Sequence, residues 1–242
     1  MEINMEIGIR FRCSETILPM NHQYNIQSMI YKGLSEDSAY ASFLHDAGYT
    51  FGSRQFRLFT FSRLSGYYQI RQGCLIYPEA AALRVRSIEP RMIKLLCCSF
   101  FPGSEHVLCG QKLVVEEFTV SDYHICTDSI NFTTCSPLVA YRTEKGERAR
   151  FFTPDDPEFY ELLSDNAARK WSSYYKEPAP GQLEIFPLEG RFKKVVAEYK
   201  GTYITGWMGS FHAEGPHSLL DFLYQTGIGA KTAQGFGMID IS

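Results

Sequence analysis

Apolar residues in this chain recur with a spacing that switches between two and about 3.6, and the order of the switches constrains the fold more than any single motif. Met5, Ile7, Ile9 and Phe11 alternate with Glu6, Gly8, Arg10 and Arg12, as in a strand with one buried face. The spacing then turns helical. Ile26, Met29, Ile30 and Leu34 fall at i, i+3, i+4 and i+8, and after a bend near Gly33 and Ser35 a second stripe follows at Tyr40, Phe43, Leu44 and Ala47, with Gly48 placed to end it. Residues 56–64, FRLFTFSRL, read as a strand and residues 67–77 as its hairpin partner. Pro90 opens another helix that Pro102 and Gly103 close, and residues 107–118 make a further strand. The first half is thus β-α-β-β-α-β, the order of the ferredoxin-like motif.

The second half repeats this order without repeating the sequence. A β-rich region over residues 118–152 precedes a helix that Asp156 and Pro157 announce and that runs past Phe159, Leu162 and Leu163 towards Trp171. Strands are expected at 183–186, 192–199 and 202–211. A helix opened by Gly215-Pro216 carries Leu219, Leu220 and Leu223, and the last strand covers 236–241. A chain of 242 residues suits two such units better than one barrel. The expected class is α+β: two tandem ferredoxin-like, or RRM-like, βαββαβ domains, the first over 1–120 and the second over 121–242.

Formal charge is −3, which excludes holding a polyanion by bulk charge and makes any nucleic-acid site local. Seven cysteines, no two of them separated by two residues, suit reduced thiols of an intracellular protein. The stretch MEINMEIGIRFR lacks the unbroken apolar core of a signal peptide, and the greasy segment over 92–101 is too short to span a bilayer. A soluble, cytoplasmic protein with no membrane partner is expected. The histidines at 22, 106, 124, 212 and 217 have no metal-ligand spacing, so neither metal nor cofactor is expected.

Two features point to a ligand. The loop before the last strand places Gly227, Gly229, Gly235 and Gly237 around Lys231, and exposed amides beside a lysine suit phosphate. It is no Walker A loop, because Ala230 precedes the lysine, and unlike the phosphate-binding turns it leads into a strand rather than a helix. Charge is also unevenly spread: residues 50–100 hold eight basic and two acidic side chains, plus six, which leaves minus nine for the rest. Arg54, Arg57, Arg63 and Arg71 cluster there. Arg57, Phe59, Phe61 and Arg63 share one strand face that could grip phosphates and stack bases, while the two phenylalanines equally suit a core.

The N-terminal strand, LPMNHQYNIQSMIYKGL, FLHDAGY, FRLFTFSRL, SPLVAYR, FFTPDDPEFYELLSDNAARKW and GIGAKTAQGFGM, in that order and over nearly the whole chain, resemble the CRISPR-associated repeat-processing endoribonucleases of the repeat-associated mysterious protein superfamily. The resemblance implies two ferredoxin-like domains and a substrate that is the repeat RNA of a CRISPR precursor transcript. It implies a metal-independent cut in which the ribose 2′-hydroxyl attacks the adjacent phosphate, leaving 2′,3′-cyclic phosphate and 5′-hydroxyl ends. Such chemistry needs a base for the 2′ proton, an acid for the leaving oxygen and cations for the phosphorane.

By this resemblance His45 takes the place of the catalytic histidine and Tyr31 that of the catalytic tyrosine. Relatives with a lysine after the histidine find only Arg54 and Arg57 in YTFGSRQFR, so Arg54 is the expected phosphate-stabilising group; always protonated, it leaves the base to His45 or Tyr31. Lys231 is the first choice for an RNA backbone contact, with Lys32, Arg57, Arg63 and the four loop glycines alongside it. Arg191, Lys193 and Lys194 suit either an extension of that track or a solvated face. The family also includes RNA binders that do not cut, and a structural subunit of a CRISPR effector, sharing the ferredoxin-like fold and glycine loop, is a second alternative, so the expected partners are the RNA and, in that last case, other effector subunits, with the chain a monomer or homodimer.

Overall fold

Strand β1 (Met5–Arg12) puts Ile7, Ile9 and Phe11 into a core where each is essentially inaccessible, as period-two alternation demands. A computed structural model of the chain describes residues 5–143, 146, 148–188 and 190–242. The first four residues of the N-terminal stretch, and residues 144, 145 and 147 of the β-rich region, lie outside them.

After β1 come α1 (Gln23–Gly33), β2 (Phe59–Phe61), β3 (Ala80–Ser87), α2 (Pro90–Ser99), β4 (Glu105–Leu108) and β5 (Gln111–Asp122). They form an antiparallel sheet of order β2-β3-β1-β5-β4. Ile26, Met29 and Ile30 of α1 and Met92, Ile93 and Leu96 of α2 pack on it. The second half supplies β6 (Ser129–Thr134), α3 (Pro157–Tyr175), β7 (Glu184–Pro187), the hairpin β8 (Lys193–Tyr199) and β9 (Thr202–Met208), then β10 (Ser210–Glu214), α4 (His217–Thr226) and β11 (Ile239–Ile241). Its sheet has the order β7-β10-β6-β11. In each half the strand after the first helix, β2 or β7, lies at the edge of the sheet, β3 or β10 lies beside the first strand, and β5 or β11 on that strand's other side. Both are ferredoxin-like.

Three strand expectations need correction. Residues 67–77 do not pair with residues 59–61; they form a hairpin of Gln69–Arg71 and Cys74–Tyr77 that joins Thr16–Pro19 in a separate sheet. The true partner of β2 is β3, which the sequence hides because Arg84 and Arg86 interrupt its apolar run. Residues 107–118 are split by a tight turn at Cys109 and Gly110, with φ of 51° and 78°, into the hairpin β4–β5. Residues 202–211 likewise divide at Gly209, between β9 and β10.

The halves are joined by ions and by the glycine loop. Arg86, 1% exposed, reaches Glu6 of β1 and Asp240 of β11, and Arg84 also binds Asp240. Thr60 of β2 donates to the Phe236 carbonyl at 2.9 Å, so even the middle residue of that strand is buried. Phe59 and Phe61 belong to the first core, which removes them as stacking surfaces for bases.

Candidate functional site

His45 stands in a helical turn that the sequence builds unusually. After the short helix Ser38–Ser42, residues Phe43–Ala47 widen into a π turn, closed by the Gly48 N–H donating to the Phe43 carbonyl at 2.7 Å. Such turns are rare and often mark functional positions. Gly48 ends it at φ +61°, with the Phe56 carbonyl so close that a side chain there would collide with it. Arg57 fastens the turn from outside: Nε donates to the Leu44 carbonyl at 2.8 Å and Nη2 to that of His45 at 2.5 Å. A cation on the last carbonyls of a helix is favoured by charge as well as by hydrogen bonding.

The His45 ring is exposed, with Nδ1 2.7 Å from Asp46 Oδ1. A carboxylate only accepts, so the proton of this contact lies on Nδ1 and the neutral ring keeps Nε2 as a free base. Tyr31 of α1 meets His45 edge to face at 5.9 Å and packs its other side on Phe59 at 6.0 Å. Its hydroxyl donates to the Leu44 carbonyl at 3.4 Å. Burial pushes the Tyr31 phenol up to about 12, against the lowering influence of Arg57. At neutral pH it is a hydroxyl donor.

His45, Tyr31 and Arg54 line one cleft of about 670 Å³ between the halves, and Arg57 and Lys231 line it with them. Arg54 enters from the strand Arg54–Phe56. Opposite stands the glycine loop, where Lys231, at φ +63°, holds its ammonium 4.9 Å from the centre of the Tyr141 ring, and burial lowers its pKa. Gly227, Gly229, Gly235 and Gly237 all have φ between 77° and 86° and are buried. Gly235 is pressed against the Phe61 ring and Gly227 against Thr60, so their freedom serves packing between the halves, while Gly229 meets Leu163 and Val139 of its own half; Gly229 alone of the four lines the cleft. Lys32 is exposed on α1 away from the cleft. Arg63 lines a separate cavity of about 280 Å³ with His22, Tyr68 and Met208.

The plus-six segment contributes less to the cleft than its charge suggests. Arg84 and Arg86 face Asp240 and Glu6, and Arg91 binds Asp37 at 2.7 Å. Arg54 and Arg57 remain, and the second half adds Lys170, Lys200 and Lys231. None of the described lining residues is acidic.

Lys170 escapes the sequence reading. It is fully buried on α3 and donates to the carbonyls of Gly227 at 2.7 Å, Gly229 at 3.4 Å and Thr226 at 3.5 Å, holding the glycine loop and the end of α4 from behind. Leu163, Ala167, Lys170 and Trp171 are spaced at i, i+4, i+7 and i+8, so a lysine on the apolar face of α3 was a readable signal. Burial draws its ammonium down to about 7. Among the described residues, no group of three or more His, Cys, Asp or Glu side chains could hold a metal, and no helix is long and apolar enough to cross a membrane.

A family model described as CRISPR associated protein Cas6, C-terminal, matches residues 120–241. The chain is 29% identical over 251 residues to CRISPR-associated endoribonuclease Cas6 1 of Methanocaldococcus jannaschii, covering 99% of this chain and 93% of that one. Identity to CRISPR-associated endoribonuclease Cas6 of Pyrococcus furiosus is 25% over 228 residues, covering 93% and 83%. A solved structure described as CRISPR associated protein Cas6 superposes with a TM-score of 0.80 at 25% identity over 99% of both chains.

Proposed function

Since the chain belongs to the Cas6 family of CRISPR-associated proteins, we propose that it is an endoribonuclease that binds CRISPR repeat RNA and cuts precursor transcripts into guide RNAs without a metal. The observation that carries this reading is the cleft itself: Arg54, Arg57, Lys200 and Lys231, with no acidic side chain among the described lining residues, in a protein of net charge −3, and with His45 and Tyr31 side by side on its wall. A local cationic groove of this kind suits an RNA backbone.

In the proposed reaction His45 Nε2 takes the 2′ proton while the 2′ oxygen attacks the adjacent phosphorus. Tyr31, protonated at neutral pH, donates to the leaving 5′ oxygen, and Arg54 neutralises the charge that gathers on the phosphorane. Lys231 holds a flanking phosphate. Arg57 fixes the turn that carries His45.

Incubation with the repeat RNA of the matching CRISPR array, in excess chelator, is expected to give one cut with 2′,3′-cyclic phosphate and 5′-hydroxyl ends. A 2′-deoxy substitution at the cut nucleotide should abolish it. His45→Ala should lower the rate by about 10²- to 10⁴-fold; cutting at the wild-type rate would overturn the site.

A further inference from the structure

Helix α1 carries Tyr24, Gln27 and Tyr31 at i, i+3 and i+7, so all three share one face, and all line the cleft. Tyr31 ends this stripe beside His45. Seven residues at 1.5 Å each put Tyr24 about 10 Å farther along the helix. There the first half meets the tip of the β8–β9 hairpin from the second.

The meeting point has a defined geometry. Lys200 and Gly201 make a two-residue turn with φ of 49° and 75°, closing the pair Tyr199↔Thr202, so the tip is a tight hairpin end rather than a loose loop. Tyr199 stands at 88° to Tyr24 with ring centres 5.5 Å apart, making a corner of two aromatic walls. Lys200 holds its ammonium 4.8 Å from the centre of the Tyr24 ring. Gln27 braces the corner: it accepts the Tyr199 hydroxyl and donates to the Ala233 carbonyl at 2.6 Å, tying α1 to the hairpin and to the glycine loop. Tyr24 itself is 40% exposed.

The geometry points to this corner as a nucleobase subsite for a nucleotide near the scissile phosphate, an inference that rests on the RNA-cutting reading above. A base lying on the Tyr24 ring displaces Lys200, whose ammonium then meets the phosphate of the same nucleotide. Stacking of this kind is strong enough to compete with an exposed cation over a ring. Gln27 spends one amide N–H on Ala233 and its oxygen on Tyr199, and what the corner offers a base is the open face of the Tyr24 ring. The subsite therefore takes a base by its face, and presence of the base matters more than its identity.

The test uses repeat RNA made uncleavable by a 2′-deoxy sugar at the cut, with an abasic site placed in turn at the two nucleotides on either side, and binding measured by fluorescence anisotropy. At one position loss of the base is expected to weaken binding to the wild-type protein by about 5- to 150-fold, while exchange of one base for another there has little effect. Tyr24→Ala should bind the intact RNA as weakly as the wild type binds the abasic one and show no further loss with the abasic RNA; Tyr24→Phe should behave as wild type. An abasic penalty that is the same in Tyr24→Ala, or no penalty at any position, overturns the subsite while leaving the nuclease reading intact, provided the intact repeat binds and its 2′-hydroxyl form is cut. Failure of the wild type to bind or cut the repeat overturns both.

Discussion

Arg57 donates from Nη2 to the backbone carbonyl of His45 at 2.5 Å, and its Nε spans to the neighbouring Leu44 carbonyl. Two of the guanidinium's donors are thus spent on the turn that presents His45, while Nη1 reaches Gln55 Oε1 at 3.5 Å. A lysine ammonium on its flexible stem does not reproduce the two separately placed, coplanar donors with which the guanidinium meets these carbonyls. Arg57→Lys is expected to cut the single-turnover cleavage rate by about 100-fold through displacement of His45, with affinity for uncleavable repeat unchanged. Weakened binding with normal cleavage at saturation would show instead that Arg57 contacts RNA.

Tyr31 supports a second prediction. Its phenol is pushed up to about 12 by burial, so between pH 6 and pH 10 it remains protonated. Tyr31→Phe removes a hydrogen-bond donor and no titrating base. The rate ratio of wild type to Tyr31→Phe should therefore be constant across that range, measured at saturating RNA. A ratio that climbs tenfold per pH unit would assign the base to Tyr31 and the acid to His45.

What the sequence could not disclose follows from what these residues touch. The alternation of β1 and the stripe of α1 are local, and both elements stand where periodicity puts them. The pairing of β2 with β3 is not local, and Arg84 and Arg86 read as surface charge because their partner Asp240 lies over 150 positions away. The same blindness inflated the basic track and lent Phe59 and Phe61 the look of a stacking face. The loop glycines were visible as a need for positive φ, but whether RNA or protein filled the space beside them was not. Tyr31, His45 and Arg54 do share a cleft, and the walls that complete it come from Lys170, Tyr199 and Lys200 in the other half.

Asp240 yields a prediction about acid stability. Burial alone would raise its carboxyl, but hydrogen bonds from Arg84 and Arg86 hold it at about 2. The unfolded carboxyl titrates near 3.9. A group depressed in the fold contributes stability that is present above about pH 4 and lost as pH falls towards 2. Asp240→Asn leaves the buried Arg86 with Glu6 as its carboxylate partner, beside the Ile239 carbonyl and the Tyr224 ring, and should cost about 1.5 kcal/mol at pH 7, with a shallower loss of stability between pH 4 and pH 2. Urea unfolding at a series of pH values checks both, and an unchanged acid slope would remove Asp240 as its source.

Lys170 gives the opposite pH signature. Its ammonium is drawn down to about 7 by burial, while in the unfolded chain it titrates near 10.4. Between these values the unfolded chain binds the extra proton, so stability from this residue rises with pH from about 7 to about 10 and is flat below 7. Lys170→Met deletes that rise and also strips the Gly227 carbonyl of its 2.7 Å donor. The variant is expected to be less stable than wild type at every pH, with the gap widening from pH 7 to pH 10, and to bind repeat RNA more weakly because the loop bearing Lys231 has lost its anchor. Denaturant midpoints at pH 6, 7, 8.5 and 10 measure the gap. A gap that stays constant over that range would mean that Lys170 keeps an ordinary ammonium, held charged by the three carbonyls it serves.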